Sequence, residues 1–141
     1  MIRMATELDL QELMQIENEC FSRPYSSESF LQDLRGDKVK VFVKIQNEKI
    51  VGFISLYIFL DEANLQQIAV LEDFRRKGIA SELIEYSIEY LKQNKVKKFY
   101  LEVNETNFVA IKTYEKFGFK QVVTRKNYYG NQSAVVYELM L

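Results

Sequence analysis

Apolar and polar residues alternate in some stretches of the chain and recur at helical spacing in others, and the order of the two patterns predicts the architecture. Thr6-Glu7-Leu8-Asp9 has the form of a helix start, and Leu10, Leu13, Met14 and Ile16 continue an apolar stripe at helical spacing. A second helix opens at Ser26, just after the only proline, Pro24, with Phe30, Leu31 and Leu34 on its inner face. From Val39 to Ile45 the period changes to two: Val39, Val41, Val43 and Ile45 alternate with Lys40, Phe42 and Lys44. Gln46-Asn47-Glu48-Lys49 then turns the chain into a second strand, Ile50 to Tyr57, so the pair reads as a hairpin. A third strand, Asn64 to Val70, follows a short acidic loop. A helix runs from about Gly78 to residue 92, with Ile79, Leu83, Ile84, Ile88 and Leu91 on one face. Lys97 to Val103 reads as a strand and Asn107 to Phe117 as a helix. Gln121 to Thr124 and Ala134 to Met140 read as two last strands, joined by a polar loop that contains Gly130-Asn131, Tyr128 and Tyr129. With a short strand at the amino terminus the predicted order is β-α-α-β-β-β-α-β-α-β-β, an α/β (α+β) class. No repeat or Pro/Gly-rich linker interrupts it, so residues 1–141 read as one domain.

Composition narrows the chemistry. A hydrophobic fraction of 48% and a charged fraction of 28% are those of a globular protein, and no apolar run approaches the roughly 20 residues that span a bilayer. The amino terminus lacks the apolar stretch of a secretory signal, and Cys20, the single cysteine, cannot form an internal disulfide. The expected location is therefore the cytoplasm, with no membrane association. A net charge of −1 offers no global attraction to nucleic acid. The absence of histidine removes the Ser-His-Asp and Cys-His nucleophilic arrangements and every histidine-based zinc site, and no metal is expected. Catalysis has to rest on carboxylates, tyrosines, lysines and backbone amides, and Cys20 has no recognisable base to activate it as a nucleophile.

Arg75, Arg76 and Lys77 stand between the third strand and the helix near Gly78, in what reads as the helix's first turn. The helix dipole favours anions there by about 0.3–1 kcal/mol each, so a basic cluster is unfavourable unless an anion sits beside it. Either these are surface cations that fall there by chance, or the segment receives a phosphate-bearing ligand on free helix N–H groups, with Gly78 and Ala80 keeping the approach open. There is no G-x-x-x-x-G-K-[ST] loop and no G-x-G-x-x-G fingerprint.

The run Ile68-Ala69-Val70 followed by Arg75-x-x-Gly78-x-Ala80 resembles the acetyl-CoA motif [R/Q]-x-x-G-x-[G/A] of the GNAT acetyltransferases. That resemblance implies a mixed, mostly antiparallel central sheet flanked by helices. It also implies acetyl-CoA as cosubstrate, held by Ile68, Ala69, Val70, Arg75, Arg76, Lys77, Gly78, Ile79, Ala80, Ser81 and Asn107. In that family the strand before the motif splays from its neighbour, and the Val70 N–H would polarise the acetyl carbonyl. The chain is similar, over almost its whole length, to RimI-type ribosomal-protein-alanine N-acetyltransferases. The similar segments include Cys20 to Ser26, Asp61 to Leu65, Leu101-Glu102-Val103, Tyr114 to Phe119 and Arg125 to Tyr129. Pro24-Tyr25 stands where Pro-Trp is usual, and Gly130 to Ala134 lacks the acidic residues expected before the last strand. The implied partner is a protein N-terminus, such as that of a ribosomal protein.

The reaction needs a base for the amine and a proton donor for the departing thiolate. Glu102 alternates on its strand with Leu101 and Val103 and is the candidate base, or else an exposed strand glutamate without a role. Glu62 is the reserve, because other enzymes of the family take the base from the strand before the cofactor motif. Tyr114 is the candidate acid, since a phenol stays protonated at neutral pH. Asn107, Ile111 and Tyr114 share a helix face, where Asn107 either holds the pantetheine arm or simply caps the helix. Tyr128 and Tyr129 either flank the acceptor cleft or pack. The functional expectation is transfer of acetyl to an N-terminal α-amine. The alternatives are a small-molecule amine or lysine as acceptor, and a coenzyme-A-binding module without turnover.

Overall fold

The computed structural model describes residues 1–141. The elements are β1 (Ile2–Met4), α1 (Leu10–Cys20), α2 (Ser27–Arg35), β2 (Val39–Gln46), β3 (Lys49–Phe59), β4 (Glu62–Val70), α3 (Ile79–Gln93), β5 (Lys98–Asn104), α4 (Phe108–Lys116), β6 (Lys120–Tyr129) and β7 (Gln132–Met140). Their order is the one the hydrophobic pattern predicts. Local chemistry sets the starts. Thr6 and Asp9 cap each other's backbone in the turn before α1, and the Ser26 hydroxyl accepts the Ser29 N–H at the start of α2. Asn47 and Glu48 both take positive φ in the two-residue β2–β3 turn.

The seven strands form one sheet in the order β1-β2-β3-β4-β5-β7-β6. All neighbours are antiparallel except β4 and β5, which α3 connects as a crossover. One face is covered by α3 and α4, whose Leu83, Ile84 and Tyr114 join Phe99, Leu101, Val103 and Val135 in a core. The other face is covered by α1 and α2 over β2 to β4 only, where Leu13, Ile16 and Phe30 meet Val41, Val43 and Phe53. Glu17 lies wholly within this second layer; its carboxylate accepts the Tyr25 N–H at 3.0 Å and so anchors the turn before α2.

The one parallel pairing is short. β4 and β5 pair only over Glu62–Asn64 and Lys98–Tyr100, while β4 stays with β3 to Val70 and β5 stays with β7 to Asn104. A register shift opposite Gln66 bends β4 at the point where it leaves β5. A gap therefore opens between β4 and β5 toward their C-terminal ends. Gly52 makes the β3–β4 side of this gap possible: a Cβ there would stand 2.9 Å from the Ala69 carbonyl oxygen.

Two sequence expectations are corrected. Arg75, Arg76 and Lys77 precede α3 rather than forming its first turn, because Arg76 and Gly78 adopt positive φ and the helix begins only at Ile79. The expected polar loop after Thr124 is strand: β6 runs on to Tyr129 and meets β7 across the two-residue Gly130-Asn131 turn. The reason is a bulge. Arg125 pairs with Ala134 and Tyr129 with Gln132, leaving Lys126 to Tyr128 opposite Ser133 alone, with Asn127 at positive φ. Tyr128 and Tyr129 thus sit on a strand and not in a loop.

Candidate active site

The first part of the site is made of backbone. The Leu71 N–H bonds to the Val51 carbonyl, which makes that pair hydrogen-bonded. Alternation along the antiparallel ladder then points the N–H and C=O of Val70 and Ile68 away from β3, into the gap. Below them, the first helical bond of α3 is Glu82 N–H to the Gly78 carbonyl, so the N–H groups of Ile79, Ala80 and Ser81 have no intrahelical acceptor. Gly78 supplies no side-chain cap and holds φ at 81°. These groups line a groove of about 490 Å³ with Arg75 and Arg76. A phosphate-bearing, strand-like ligand fits that set of donors.

Nine of the eleven residues expected at the cofactor line this groove; Lys77 and Asn107 do not. The Lys77 ammonium lies over the Phe74 ring, 5.7 Å from its centre. The Asn107 side-chain oxygen caps α4 by accepting the Ala110 N–H. Arg75 turns back: its Nε donates to the Val70 carbonyl at 2.8 Å and its Nη2 to Cys20 Sγ at 3.5 Å. Phe74, Val109 and Thr113 also line the groove and carried no sequence signal. Only the spacing of Val109 and Thr113, one turn apart on α4, hints at a shared face.

The second part is made of side chains. Glu102 lies on the stretch of β5 that β4 has left, on the face opposite Leu101 and Val103, with its side chain 28% exposed. Arg125 of β6 approaches its carboxylate at 3.3 Å. The Tyr129 phenol is pushed up in pKa by burial first and by the charge of Glu102 second, so it belongs to the same neighbourhood. Glu62, the reserve base, lies at the far end of β4, inside the paired segment, with Tyr100 and Glu138 near it. Tyr114 is 6% exposed at the end of α4, its ring edge-on to Phe119, and burial raises its phenol pKa. The Tyr25 hydroxyl accepts a hydrogen bond from the side chain of Gln66, the bulged residue of β4.

Residues 10–119 match the model of the Acetyltransferase (GNAT) family. The chain belongs to that family. It is 34% identical to the [ribosomal protein bS18]-alanine N-acetyltransferase of Escherichia coli over 93% of this chain and 90% of that one. It is 33% identical to an N-alpha-acetyltransferase of Saccharolobus solfataricus over 92% of this chain and 86% of the relative. The crystal structure of the Escherichia coli ribosomal-protein-S18-alanine N-acetyltransferase superposes with a TM-score of 0.92 at 32% identity, covering 99% of this chain and 92% of that one. The protein is an acetyl-CoA-dependent N-acetyltransferase with the GNAT fold.

Proposed function

We propose that the protein moves acetyl from acetyl-CoA directly to the α-amine at a protein N-terminus, with an N-terminal alanine of a ribosomal protein as the favoured acceptor. The observation that carries this reading is that one strand gap has a different kind of group on each edge. β4 and α3 turn free N–H groups toward it, and the departed stretch of β5 carries Glu102. Acetyl-CoA supplies the activated acyl group, and its phosphates suit the Ile79–Ser81 amides and Arg76. The Val70 N–H donates to the thioester carbonyl oxygen, where negative charge develops during attack. Glu102 takes the proton from the amine nitrogen as it bonds to the acetyl carbon. Tyr114 gives its proton to the departing sulfur; its raised pKa keeps it protonated until then.

Magnitudes favour an α-amine. An N-terminal amine with pKa about 7.7–8.0 is appreciably neutral near pH 7, whereas a lysine amine near 10.4 is neutral only at about the 0.1% level. The difference is roughly 3–4 kcal/mol that a single carboxylate base would have to supply. The Escherichia coli and Saccharolobus relatives support the same acceptor class. The test is mass spectrometry of alanine-starting ribosomal peptides, lysine peptides and polyamines after incubation with enzyme and acetyl-CoA. Faster modification of lysine or polyamine than of the peptide α-amine would overturn the acceptor assignment.

A further inference from the structure

The opening of the sheet leaves backbone groups that β5 no longer satisfies, and they are not equivalent. Ile68 turns both a donor and an acceptor into the gap. That pair matches an amide, which carries one of each, and the pantetheine arm contains amides. Val70 turns the same two groups outward, but a thioester offers only an acceptor. A bare Val70 carbonyl beside it would set two carbonyl dipoles against each other and leave one acceptor unpaired. In this structure the Val70 carbonyl is taken. Arg75 Nε donates to it at 2.8 Å, Cys20 Sγ donates to it at 3.6 Å, and Arg75 Nη2 reaches the same sulfur at 3.5 Å. The three groups come from the C-terminal end of α1, the end of β4 and the loop before α3, and they meet at one oxygen.

We infer that Arg75 and Cys20 are positioning residues for acyl transfer, occupying the Val70 carbonyl so that the end of β4 presents an N–H and no free acceptor to the thioester. This rests on the reading that the acetyl thioester lies in the gap at Val70. Arg75 acts here through the strand and not as a phosphate contact. Its charged guanidinium makes the stronger bond, and the thiol, a weak donor, adds a smaller share. A glutamine at position 75 keeps a donor that can reach back, and a methionine does not.

The experiment compares Arg75→Met, Arg75→Gln and Cys20→Ala with wild type, using an alanine-starting peptide and two donors, acetyl-CoA and S-acetylpantetheine, which has no phosphate. Arg75→Met should lower kcat/KM by about 10- to 100-fold, less than the roughly 10²–10³-fold lost when an oxyanion donor is removed outright, and by the same factor with both donors. Arg75→Gln should recover most of that loss, and Cys20→Ala should lose less than about fivefold, as suits a weak donor. Calorimetric titration with coenzyme A checks that each variant is folded and binds. Independently of turnover, the Val70 carbonyl ¹³C resonance should move upfield in Arg75→Met and by less in Cys20→Ala, as it does when a carbonyl loses a donor. A loss seen with acetyl-CoA and absent with S-acetylpantetheine makes Arg75 a phosphate contact and overturns the inference. So does full activity of Arg75→Met with both donors, or an unmoved Val70 resonance. A wild-type enzyme that transfers from neither donor would instead sink the placement of the thioester, while the resonance still reports whether Arg75 holds the carbonyl.

Discussion

The two edges of the β4–β5 gap are built from different materials. On the β4 and α3 edge the groups turned toward the gap are main-chain amides, fixed by a bulge at Gln66, a left-handed Gly78 and the unpaired start of a helix. On the β5 edge they are side chains: Glu102, with Arg125 and Tyr129 of β6 beside it. A backbone site changes little when residues are exchanged, provided φ and close approaches are kept, so it suits the invariant half of the reaction, the thioester and its carrier. A side-chain site is remade by single substitutions, so it suits the half that varies, the amine. Substitutions on the second edge should therefore act on chemistry, and those that reset the Gly78 to Ser81 backbone on the first should act on cofactor affinity.

The strongest challenge to that division is Glu102→Gln, expected to lower kcat near pH 7 by about 10²–10⁴-fold with acetyl-CoA affinity unchanged. The ratio of wild-type to variant rates should narrow as pH passes about 8, because the solution then supplies the neutral amine that the carboxylate otherwise generates. A pH–rate series at saturating acetyl-CoA measures this, and a constant ratio from about pH 6.5 to 9.5 would assign Glu102 to positioning alone. Tyr114→Phe should lower turnover by about 10- to 1000-fold and leave acetyl-CoA binding near wild type, since the ring packing against Phe119 is retained. A loss confined to binding would move Tyr114 to the cofactor edge.

Gly78→Val tests the first edge. It should weaken acetyl-CoA binding by about tenfold or more, because a branched residue at a φ of 81° is strained and would reset the amides that follow. A Cβ at that position meets no protein atom within 4 Å, so the fold should survive, and Gly78→Asn, which tolerates the left-handed region, should retain more affinity. Equal calorimetric affinities for all three proteins would remove the groove from cofactor binding. The smallest expected effect is spectroscopic. The Tyr129 phenol is held above its ordinary pKa of 10.0 partly by the negative charge of Glu102, so Glu102→Gln should bring its titration down toward that value while leaving the part due to burial. Absorbance titration of the phenolate in both proteins gives the shift, and an unmoved curve would separate Tyr129 from Glu102.

How much of this was legible in the sequence followed the range of the interactions. Thr6 and Ser26 mark their helices because a cap bonds within three residues, and the β2–β3 hairpin is visible because alternation and a two-residue turn are local. The groove residues were reached by motif resemblance, and nine of eleven line one cavity. What local pattern could not carry was long-range pairing. The full length of β6 depends on β7 and on a bulge that hides the period-two signal at Lys126 to Tyr128. The start of α3 depends on the backbone angles of Arg76 and Gly78, and nothing in a run of basic residues announces them. The need for glycine at position 52 comes from the Ala69 carbonyl, seventeen residues away in sequence, and the direction of Arg75 comes from the Val70 carbonyl and from Cys20 at the end of α1. Val109 and Thr113 join the groove only because α4 borders the same cavity as the start of α3.

The brevity of the β4–β5 pairing has a consequence for how the molecule comes apart. Within the sheet, only three ladder pairs and the Lys97 and Lys98 N–H bonds to the Asp61 carbonyl join β1 to β4 to β5, β7 and β6. The remaining attachment is the α3 and α4 layer beneath. A cooperative unit is delimited where bonds across a boundary are few, so β5, β7 and β6 with α4 form a segment that opens together before global unfolding. In native-state hydrogen exchange the amides of β5 and β7 should share one opening free energy below that of β2 and β3, with the exposed edge strand β6 exchanging first. The gap in which we place the thioester is thus also a seam along which local stability is partitioned.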